Sequence, residues 1–347
     1  MNLPVLTISA KQGWMTQSNR FSSIIAGAEK KKYTLLKKGN LSYNHGNSKI
    51  APFGTVFMLK TYSEALVPKV YHSFKAKKDI NPYFLEVYFQ TRKMDPQLRK
   101  YISSSARMDG LLNITYSWFE QVRLFLPNIE EQNKLEKLFD ILNKHIELQQ
   151  RKLKLIKLFE KEAIKQVYNH KLKFNFDKLE WQKVMLKELA HISTGKLDAN
   201  AMIKNGKYDF YTSGIKKYKT DTFKFNGPAI TIAGNGATVG FMHIADGKFN
   251  AYQRTYVLFK LKCNRTFLFY EIQEKLPAKI HSESRTGNIP YIVKEMLTDL
   301  EIEIPSIFVQ NNIAHYETYL KNITILNERK VDTLLKLKQF LLQNMFI

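Results

Sequence analysis

The stretch Leu126-Pro127-Asn128-Ile129, followed by Gln132-Asn133, decides the fold, because the chain repeats it as Ile304-Pro305-Ser306-Ile307, followed by Gln310-Asn311. The two copies lie 178 residues apart, and this offset continues without a gap over about forty residues, as far as Tyr168 and Phe346. A register kept over such a length indicates a duplicated unit. We therefore predict two copies of a globular block, each followed by a long helical segment.

The two segments that follow these motifs have the pattern of long helices. Apolar or tolerant residues recur three and four positions apart from Leu135 to Val167 and again from Ile313 to Met345, without an internal glycine or proline. A helix of about forty residues is roughly 60 Å long and cannot bury such a seam alone. We therefore predict that the two helices pack on each other as an antiparallel coiled coil. The alternative is two separate helices, each lying on its own domain.

The globular blocks have the pattern of mixed α/β domains. Short β-rich runs such as 229–233 and 256–259 are bounded by Gly, Asn and Pro, and helical stretches occur at 83–91 and 266–276. The predicted fold class is α+β, with two mixed α/β domains joined by two long antiparallel helices in a pseudo-two-fold repeat. The predicted segments are a first domain at 1–127, a first helix at 128–170, a second domain at 171–304 and a second helix at 305–347, with a hinge candidate at 171–178.

The charge distribution favours a polyanionic partner. Lys and Arg number 54 against 31 acidic residues, for a net charge of +23. Residues 1–128 carry 19 basic and 7 acidic side chains and residues 170–304 carry 21 and 14, whereas the helical segments are nearly balanced. Several Lys and Arg on one surface are what phosphate neutralisation requires. The alternative is that the basic balance only confers solubility; an anionic membrane surface fits less well, because no basic amphipathic helix has a Trp/Phe face.

The same composition points to an intracellular protein. One cysteine, Cys263, excludes an intramolecular disulfide framework and a cysteine-rich zinc site, which favours a reducing cytoplasm. The N-terminal sequence lacks the charged and apolar regions of a secretory signal, and no run of eighteen apolar residues occurs. We therefore expect a cytoplasmic location.

No motif in the chain predicts catalysis. The stretch Gly234–Gly240 has one residue too many for a dinucleotide-binding fingerprint and predicts a strand-turn-strand connection instead. Asn81-Pro82-Tyr83-Phe84 is similar to the signature of adenine methyltransferases but lacks its second proline, so a helix start is the better interpretation. There is no Walker A sequence, the histidines have no zinc-like spacing, and Cys263 has no evident base beside it. A basic chain without a predicted reaction centre indicates a nucleic-acid reader.

These residues together resemble the specificity (S) subunit of a type I restriction-modification system. The segment 126–153 is similar to the conserved spacer region of that family. The stretches 208–214 and 230–236 are similar to the core of its target recognition domain, and 6–9 and 39–44 are the matching stretches of the first block. The resemblance covers almost the whole chain.

The resemblance implies a division of labour among several subunits. Each target recognition domain would recognise one half of a split duplex DNA site, and the paired helices would set the separation of the halves and dock two methyltransferase (M) subunits. Restriction (R) subunits would join the complex. S-adenosylmethionine, ATP and Mg²⁺ would be bound by those partners, so that no cofactor, metal or catalytic residue is expected in this chain.

The first block departs from the family pattern at its N-terminus. In the second block, residues 180–207 form the opening of a recognition domain before Tyr208, whereas Leu3 corresponds to Tyr208 at an offset of 205. Compared with the helix offset of 178, about 27 residues are missing before Leu3. We therefore expect an N-terminally incomplete first recognition domain, and whether it reads DNA stays open.

The candidate DNA contacts are basic residues for phosphates and small polar residues on loops for base edges in the major groove. They are Lys11, Arg20, Asn44, Lys49, Arg92 and Arg107 in the first domain, and Thr212, Ser213, Lys216, Lys217, Asn235, Arg254, Arg285 and Thr286 in the second. A solvated surface role is the alternative for each of them. Tyr83, Tyr88 and Phe89 are predicted to be core residues and not a base-stacking platform.

Two other functions remain open from the sequence. One is a non-reading remnant that only binds methyltransferase subunits through its helices. The other is a stand-alone adenine DNA methyltransferase.

Overall fold

The computed structural model describes residues 3–21, 32–46, 48–102, 111–168, 181–283 and 290–346. The chain forms two compact units. Unit 1 consists of residues 1–151 and 328–347, and unit 2 consists of residues 152–327. The boundaries of the two units differ from those of the four predicted segments. Each unit contains part of both long helices, whereas each predicted helix is a segment of its own.

Within its described residues, unit 1 contains three small sheets, in the strand orders β1-β2, β3-β6 and β5-β4-β7. The strands are β1 (Leu6–Ser9), β2 (Gly13–Thr16), β3 (Thr34–Lys37), β4 (Leu41–Asn44), β5 (Thr55–Met58), β6 (Glu64–Val67) and β7 (His72–Phe74). The short helices are α1 (Gln17–Phe21), α2 (Pro82–Gln90), α3 (Asp95–Arg99) and α4 (Tyr116–Glu120). Helix α2 packs on β5, and the predicted core residues Tyr83, Tyr88 and Phe89 are buried on it.

The described part of unit 2 contains two four-stranded sheets, in the orders β11-β10-β15-β12 and β14-β13-β16-β9, and a two-stranded pair, β17-β8. The strands are β8 (Gln182–Met185), β9 (His191–Thr194), β10 (Tyr208–Tyr211), β11 (Tyr218–Thr220), β12 (Phe225–Asn226), β13 (Ala229–Ala233), β14 (Met242–Ala245), β15 (Lys248–Ala251), β16 (Thr255–Phe259) and β17 (Glu301–Ile304). The helices are α6 (Leu186–Leu189), α7 (Arg265–Glu283) and α8 (Lys294–Thr298). Strands β13 and β16 run through the core of this unit, and all side chains of β13 are buried.

The two long helices are α5 (Ile129–Tyr168) and α9 (Ile307–Asn344). In unit 2, Thr324 donates a hydrogen bond to Glu160, and the Tyr168 hydroxyl lies 2.6 Å from Glu317 Oε1. Later residues of α5 therefore contact earlier residues of α9, so the two helices run antiparallel in unit 2. In unit 1, Phe139 near the start of α5 contacts Phe346 beyond the end of α9, with ring centres 5.6 Å apart. The antiparallel packing predicted from the seam is confirmed within each unit.

The repeated Gln-Asn pair anchors the start of each long helix. In unit 1, the buried Gln132 accepts a hydrogen bond from the Asn81 backbone N–H (2.9 Å) and donates to the Pro127 carbonyl (2.8 Å). The Asn81 side chain in turn caps α2, accepting from the backbone N–H groups of Tyr83 and Phe84. The Asn81 motif is therefore the predicted helix start, with its side chain in the N-cap role that Asn favours.

Unit 2 contains the same junction at the equivalent positions. Gln310 accepts from the Asn264 backbone N–H (2.9 Å) and donates to the Pro305 carbonyl (2.8 Å). The Asn264 side chain accepts from the first N–H groups of α7, as Asn81 does for α2. Asn81 and Asn264 are 183 residues apart, so α2 and α7 are equivalent at an offset of 183, and α5 and α9 at 178.

Helix α7 is longer than predicted. The sequence pattern predicts a helix that ends at residue 276, but α7 continues to Glu283 with Pro277 inside it.

Across the described ranges, no helix combines the length and the apolar character that a membrane crossing requires.

Candidate nucleic-acid interface

In unit 2, two loops that are distant in sequence bring the predicted base-reading residues together. Thr212 and Ser213 follow β10, and Asn235 follows β13. The Ser213 hydroxyl donates to Asn235 Oδ1 at 2.7 Å, and the Thr238 hydroxyl donates to the Ser213 carbonyl. The result is one cluster of hydroxyl and amide groups at the ends of two sheets.

The Gly234–Gly240 stretch forms the predicted tight connection between β13 and β14. Gly236 and Gly240 have φ values of +85° and +82°, which favour glycine. The Gly234 N–H donates to the Arg254 carbonyl at 2.9 Å, and a Cβ at Gly234 would lie only 2.5 Å from that oxygen. The missing side chain therefore lets the β15–β16 turn, which carries Arg254, approach this loop.

Three exposed cations lie on loops that carry or contact the polar cluster. Lys216 and Lys217 lie on the loop between β10 and β11, and Arg254 lies on the neighbouring turn. The ammonium group of Lys217 is 5.3 Å from the ring centre of Tyr211. Burial lowers the pKa of His243, which approaches the Gly214 carbonyl at 3.4 Å, so this histidine is neutral near pH 7 and adds no charge. The positive field of the cluster therefore comes from lysine and arginine.

In unit 1, two of the predicted residues converge on the end of β1. Asn44 donates to the Ile8 carbonyl at 3.3 Å and accepts from the Gly46 N–H at 3.1 Å. Arg20 donates to the same Ile8 carbonyl. Lys11, on the turn that follows β1, is exposed. Lys49, another predicted phosphate contact, is also exposed.

Arg92 forms hydrogen bonds to two backbone carbonyls of unit 1. Its guanidinium donates to the carbonyls of Gly54 (2.8 Å) and Ile50 (2.7 Å), and its own φ is 65°. Burial lowers the pKa of this arginine, while nearby Asp95 raises it. Because these two guanidinium nitrogens are engaged with backbone carbonyls, they are not available for a phosphate.

The other predicted positions lie outside the described residues. They are Arg107, Arg285 and Thr286, together with the hinge candidate at 171–178.

Sequence reasoning missed two residues of the unit 2 cluster. Thr238 ties the two loops together, and Tyr291, which is 55% exposed, pairs with Asn235 through an isolated β-bridge. Thr238 lies inside the quoted glycine-rich stretch, so its small polar side chain was a signal that could have been used. Nothing in the sequence pattern near Tyr291 indicates its position beside Asn235.

The segment that carries this cluster matches a known protein family. Residues 178–336 match the family model described as the type I restriction modification DNA specificity domain. The chain is 38% identical over 136 residues to the EcoDI specificity subunit of Escherichia coli, an alignment that covers 39% of this chain and 30% of that protein. It is 24% identical over 288 residues to the MjaVIII specificity subunit of Methanocaldococcus jannaschii, covering 69% and 64%. The chain thus spans less than two thirds of these curated relatives.

Solved structures share the fold. The type I restriction-modification S subunit from M. genitalium matches with a TM-score of 0.58 and 14% identity, over 91% of this chain and 85% of that chain. A chain from a structure of the type I restriction-modification system, described for its complex assembly and conformational transition, matches with a TM-score of 0.59 and 16% identity, over 89% and 82%. At these identities the likeness shows the fold alone. Together with the sequence matches, this identifies residues 178–336 of the chain as a type I restriction modification DNA specificity domain.

Proposed function

We propose that this chain is the DNA-binding specificity subunit of a type I restriction-modification complex and has no catalytic activity of its own. The observation that carries the proposal is the cluster of Thr212, Ser213 and Asn235 beside Lys216, Lys217 and Arg254, inside the matched specificity domain. Amide and hydroxyl groups recognise base edges in the major groove, and lysine and arginine bind the flanking phosphates.

Unit 1 would recognise the second half of a bipartite duplex site. Support comes from the duplicated helix junctions, which give each globular block the same attachment to its long helix. Lys11 and Lys49 would contact phosphates there, with Asn44 and Arg20 positioned at the end of β1. S-adenosylmethionine, ATP and Mg²⁺ would be bound by methyltransferase and restriction subunits. The duplex DNA target and the single cysteine favour the cytoplasm.

Selection from a randomised duplex pool tests this function. The chain is co-expressed with its methyltransferase partner, and bound duplexes are recovered over several rounds and sequenced. We expect a consensus with two specified halves separated by an unspecified gap. Its binding should weaken steeply between 50 and 200 mM salt, because phosphate contacts release counterions (about 0.9 ions each). A pool that stays random after selection would overturn the proposal. A complex that retains the methyltransferase without any DNA affinity would identify the non-reading remnant instead.

The long helices offer equivalent apolar positions for partner subunits. In unit 1, Ile141 and Leu148 of α5 are 66% and 60% exposed, seven residues apart on one helix face. In unit 2, Tyr319 and Leu326 of α9 occupy the equivalent positions and are 59% and 62% exposed. Covering such side chains with a partner subunit would be favourable, because it removes apolar surface from water. We propose that each pair docks one methyltransferase subunit, so that a specificity subunit takes up two.

Charge introduced on one of these pairs should remove one partner. We expect the double variant Ile141→Glu/Leu148→Glu to bind one methyltransferase subunit in place of two, measured by native mass spectrometry of the co-purified complex. The variant Tyr319→Glu/Leu326→Glu should do the same through the other unit. Gln150→Glu is the control, because Gln150 is exposed half a turn around α5 from Ile141. Full occupancy in both double variants would place the docking surface elsewhere.

A further inference from the structure

In the unit 2 cluster, the side-chain amide of Asn235 is held in one orientation. The Ser213 hydroxyl donates to Asn235 Oδ1 at 2.7 Å, and the Thr238 hydroxyl donates to the Ser213 carbonyl, which ties the two loops together a second time. The backbone of Asn235 also pairs with Tyr291 through an isolated β-bridge. The amide oxygen is therefore engaged inside the cluster, whereas the Nδ2 group keeps two N–H donors.

An asparagine amide in this state lacks the acceptor that adenine requires. Adenine presents its N6 amino group as a donor and N7 as an acceptor, and asparagine binds both by accepting with Oδ1 and donating with Nδ2. At Asn235, the oxygen that would accept from N6 already accepts from Ser213. What the amide offers to a base is therefore a pair of donors.

Other acceptors of the same two loops are also used within the protein. Thr212 Oγ1 accepts from the Gly214 N–H at 3.3 Å, so this hydroxyl keeps its own proton to donate. His243 Nε2 lies 3.4 Å from the Gly214 carbonyl. The Gly234 carbonyl accepts from the Ile292 N–H at 2.7 Å. The acceptors of these loops thus serve to fix the loops themselves.

The charged residues of the cluster add donors and no acceptor. Lys216, Lys217 and Arg254 are exposed, and neither an ammonium nor a guanidinium group can accept a hydrogen bond. Asp209, the carboxylate of the strand that leads into this loop, is paired with Lys219 at 2.7 Å. The surface that the cluster offers to DNA is therefore rich in donors.

Guanine is the base whose major-groove edge fits such a surface. It presents two acceptors, N7 and O6, whereas adenine and cytosine each present an amino donor and thymine presents one acceptor beside a methyl group. A donor placed against an amino donor leaves both groups without a hydrogen bond, which is unfavourable once water is excluded.

We infer that Asn235 reads a guanine in the half-site that unit 2 recognises, with the Nδ2 group donating to O6 and N7. Asn235 is the residue that contacts the base. Ser213 is a positioning residue, because it occupies the amide oxygen that adenine would need. This inference rests on the proposed function, since it names the base that the same site specifies.

Selection from a randomised duplex pool, carried out with variants of the co-expressed chain, tests the inference. For the wild type we expect one guanine that is preferred over adenine by at least roughly tenfold. Asn235→Ala should leave that single position unspecified. Ser213→Ala frees Oδ1, so it should move the preference at that position from guanine towards adenine while the rest of the half-site is kept. Ser213→Thr retains the hydroxyl and should retain the guanine.

A matched serine variant serves as the control. Ser282 is exposed on α7 and donates to the Lys279 carbonyl at 2.9 Å, so Ser282→Ala should give the wild-type consensus. The inference is overturned if Asn235→Ala changes no position or removes an adenine, or if the guanine preference survives Ser213→Ala unchanged. These outcomes all contain a consensus and leave the proposed function standing. A wild-type pool that stays random would overturn both.

Discussion

Glu317→Gln should stabilise the chain at alkaline pH and remove much of the pH dependence of its unfolding. Glu317 is fully buried in unit 2 between α5 and α7. Burial raises the pKa of this carboxyl to about 9, the Tyr168 hydrogen bond lowers it, and Glu271 raises it further. The carboxyl is therefore protonated in the folded chain at neutral pH.

The hydrogen bonds around Glu317 fit the protonated form. The Tyr168 hydroxyl lies 2.6 Å from Glu317 Oε1 and 3.1 Å from the Phe267 carbonyl, but it has only one proton to donate. A neutral Glu317 donates to the Tyr168 oxygen, and Tyr168 then donates to the Phe267 carbonyl. The other charged and titratable groups near the site are Glu271 and Tyr270 on α7, with Lys275 holding Glu271 at 3.0 Å.

The sign of the effect follows from proton linkage. The pKa of Glu317 is about 9 when folded and near the usual 4.5 when unfolded, so between these values the folded chain binds one more proton. Stability is then full below pH 4.5 and falls by about 1.4 kcal/mol per pH unit as the pH rises towards 9. At pH 7 the accumulated loss is roughly 3 kcal/mol. Glutamine keeps a donor and an acceptor but has no proton to lose.

Chemical denaturation from pH 5 to pH 9 measures this difference. The unfolding free energies of the wild type and of Glu317→Gln should agree near pH 5 and separate steadily above it. Glu295→Gln, an exposed carboxylate on α8, is the control and should follow the wild type. Parallel profiles for the wild type and Glu317→Gln at all pH values would show that the carboxyl is already ionised in the folded chain.

The repeat shows which parts of the fold a sequence pattern can predict. The offset of 178 aligns Tyr168 with Phe346 from the sequence alone, and both side chains pack at equivalent places, on Phe267 and Phe84. The same offset places Glu317 at the position of Phe139. The predicted apolar seam does not include Glu317, because a glutamate normally faces solvent. Its burial depends on Tyr168 and α7, which are contacts that helical periodicity does not contain.

The candidate site could be predicted only in part, for a similar reason. Asn235 and Ser213 are each predicted to lie on loops, and the glycines of 234–240 correctly predict the turn. Their hydrogen bond across 22 residues depends on how β10 and β13 are placed in two different sheets. Arg92 and Arg254 are both basic residues near turns. Only tertiary contacts separate the first, bound to two carbonyls, from the second, which is exposed.

Removing the three cations of the unit 2 cluster should have the largest effect on DNA binding. The variant Lys216→Gln/Lys217→Gln/Arg254→Gln leaves the Ser213–Asn235 contact in place, because all three side chains are exposed. If each contacts one phosphate, the slope of log K against log salt should decrease in magnitude by about 2.7. At 150 mM salt, this corresponds to a loss of affinity of roughly a hundredfold, which should be the same for the selected site and for random duplex.

A matched control separates contact from net charge. Lys183→Gln/Lys187→Gln/Lys219→Gln removes the same three charges from unit 2, but these lysines form ion pairs with Glu301, Asp299 and Asp209 at 2.7–3.3 Å. This variant should lower affinity by less than about threefold, because only the long-range field changes and salt screens it beyond roughly 10 Å. Equal losses in the two triple variants would mean that the overall charge, and not the loop cluster, attracts DNA. The Lys216, Lys217 and Arg254 side chains would then not contact DNA directly.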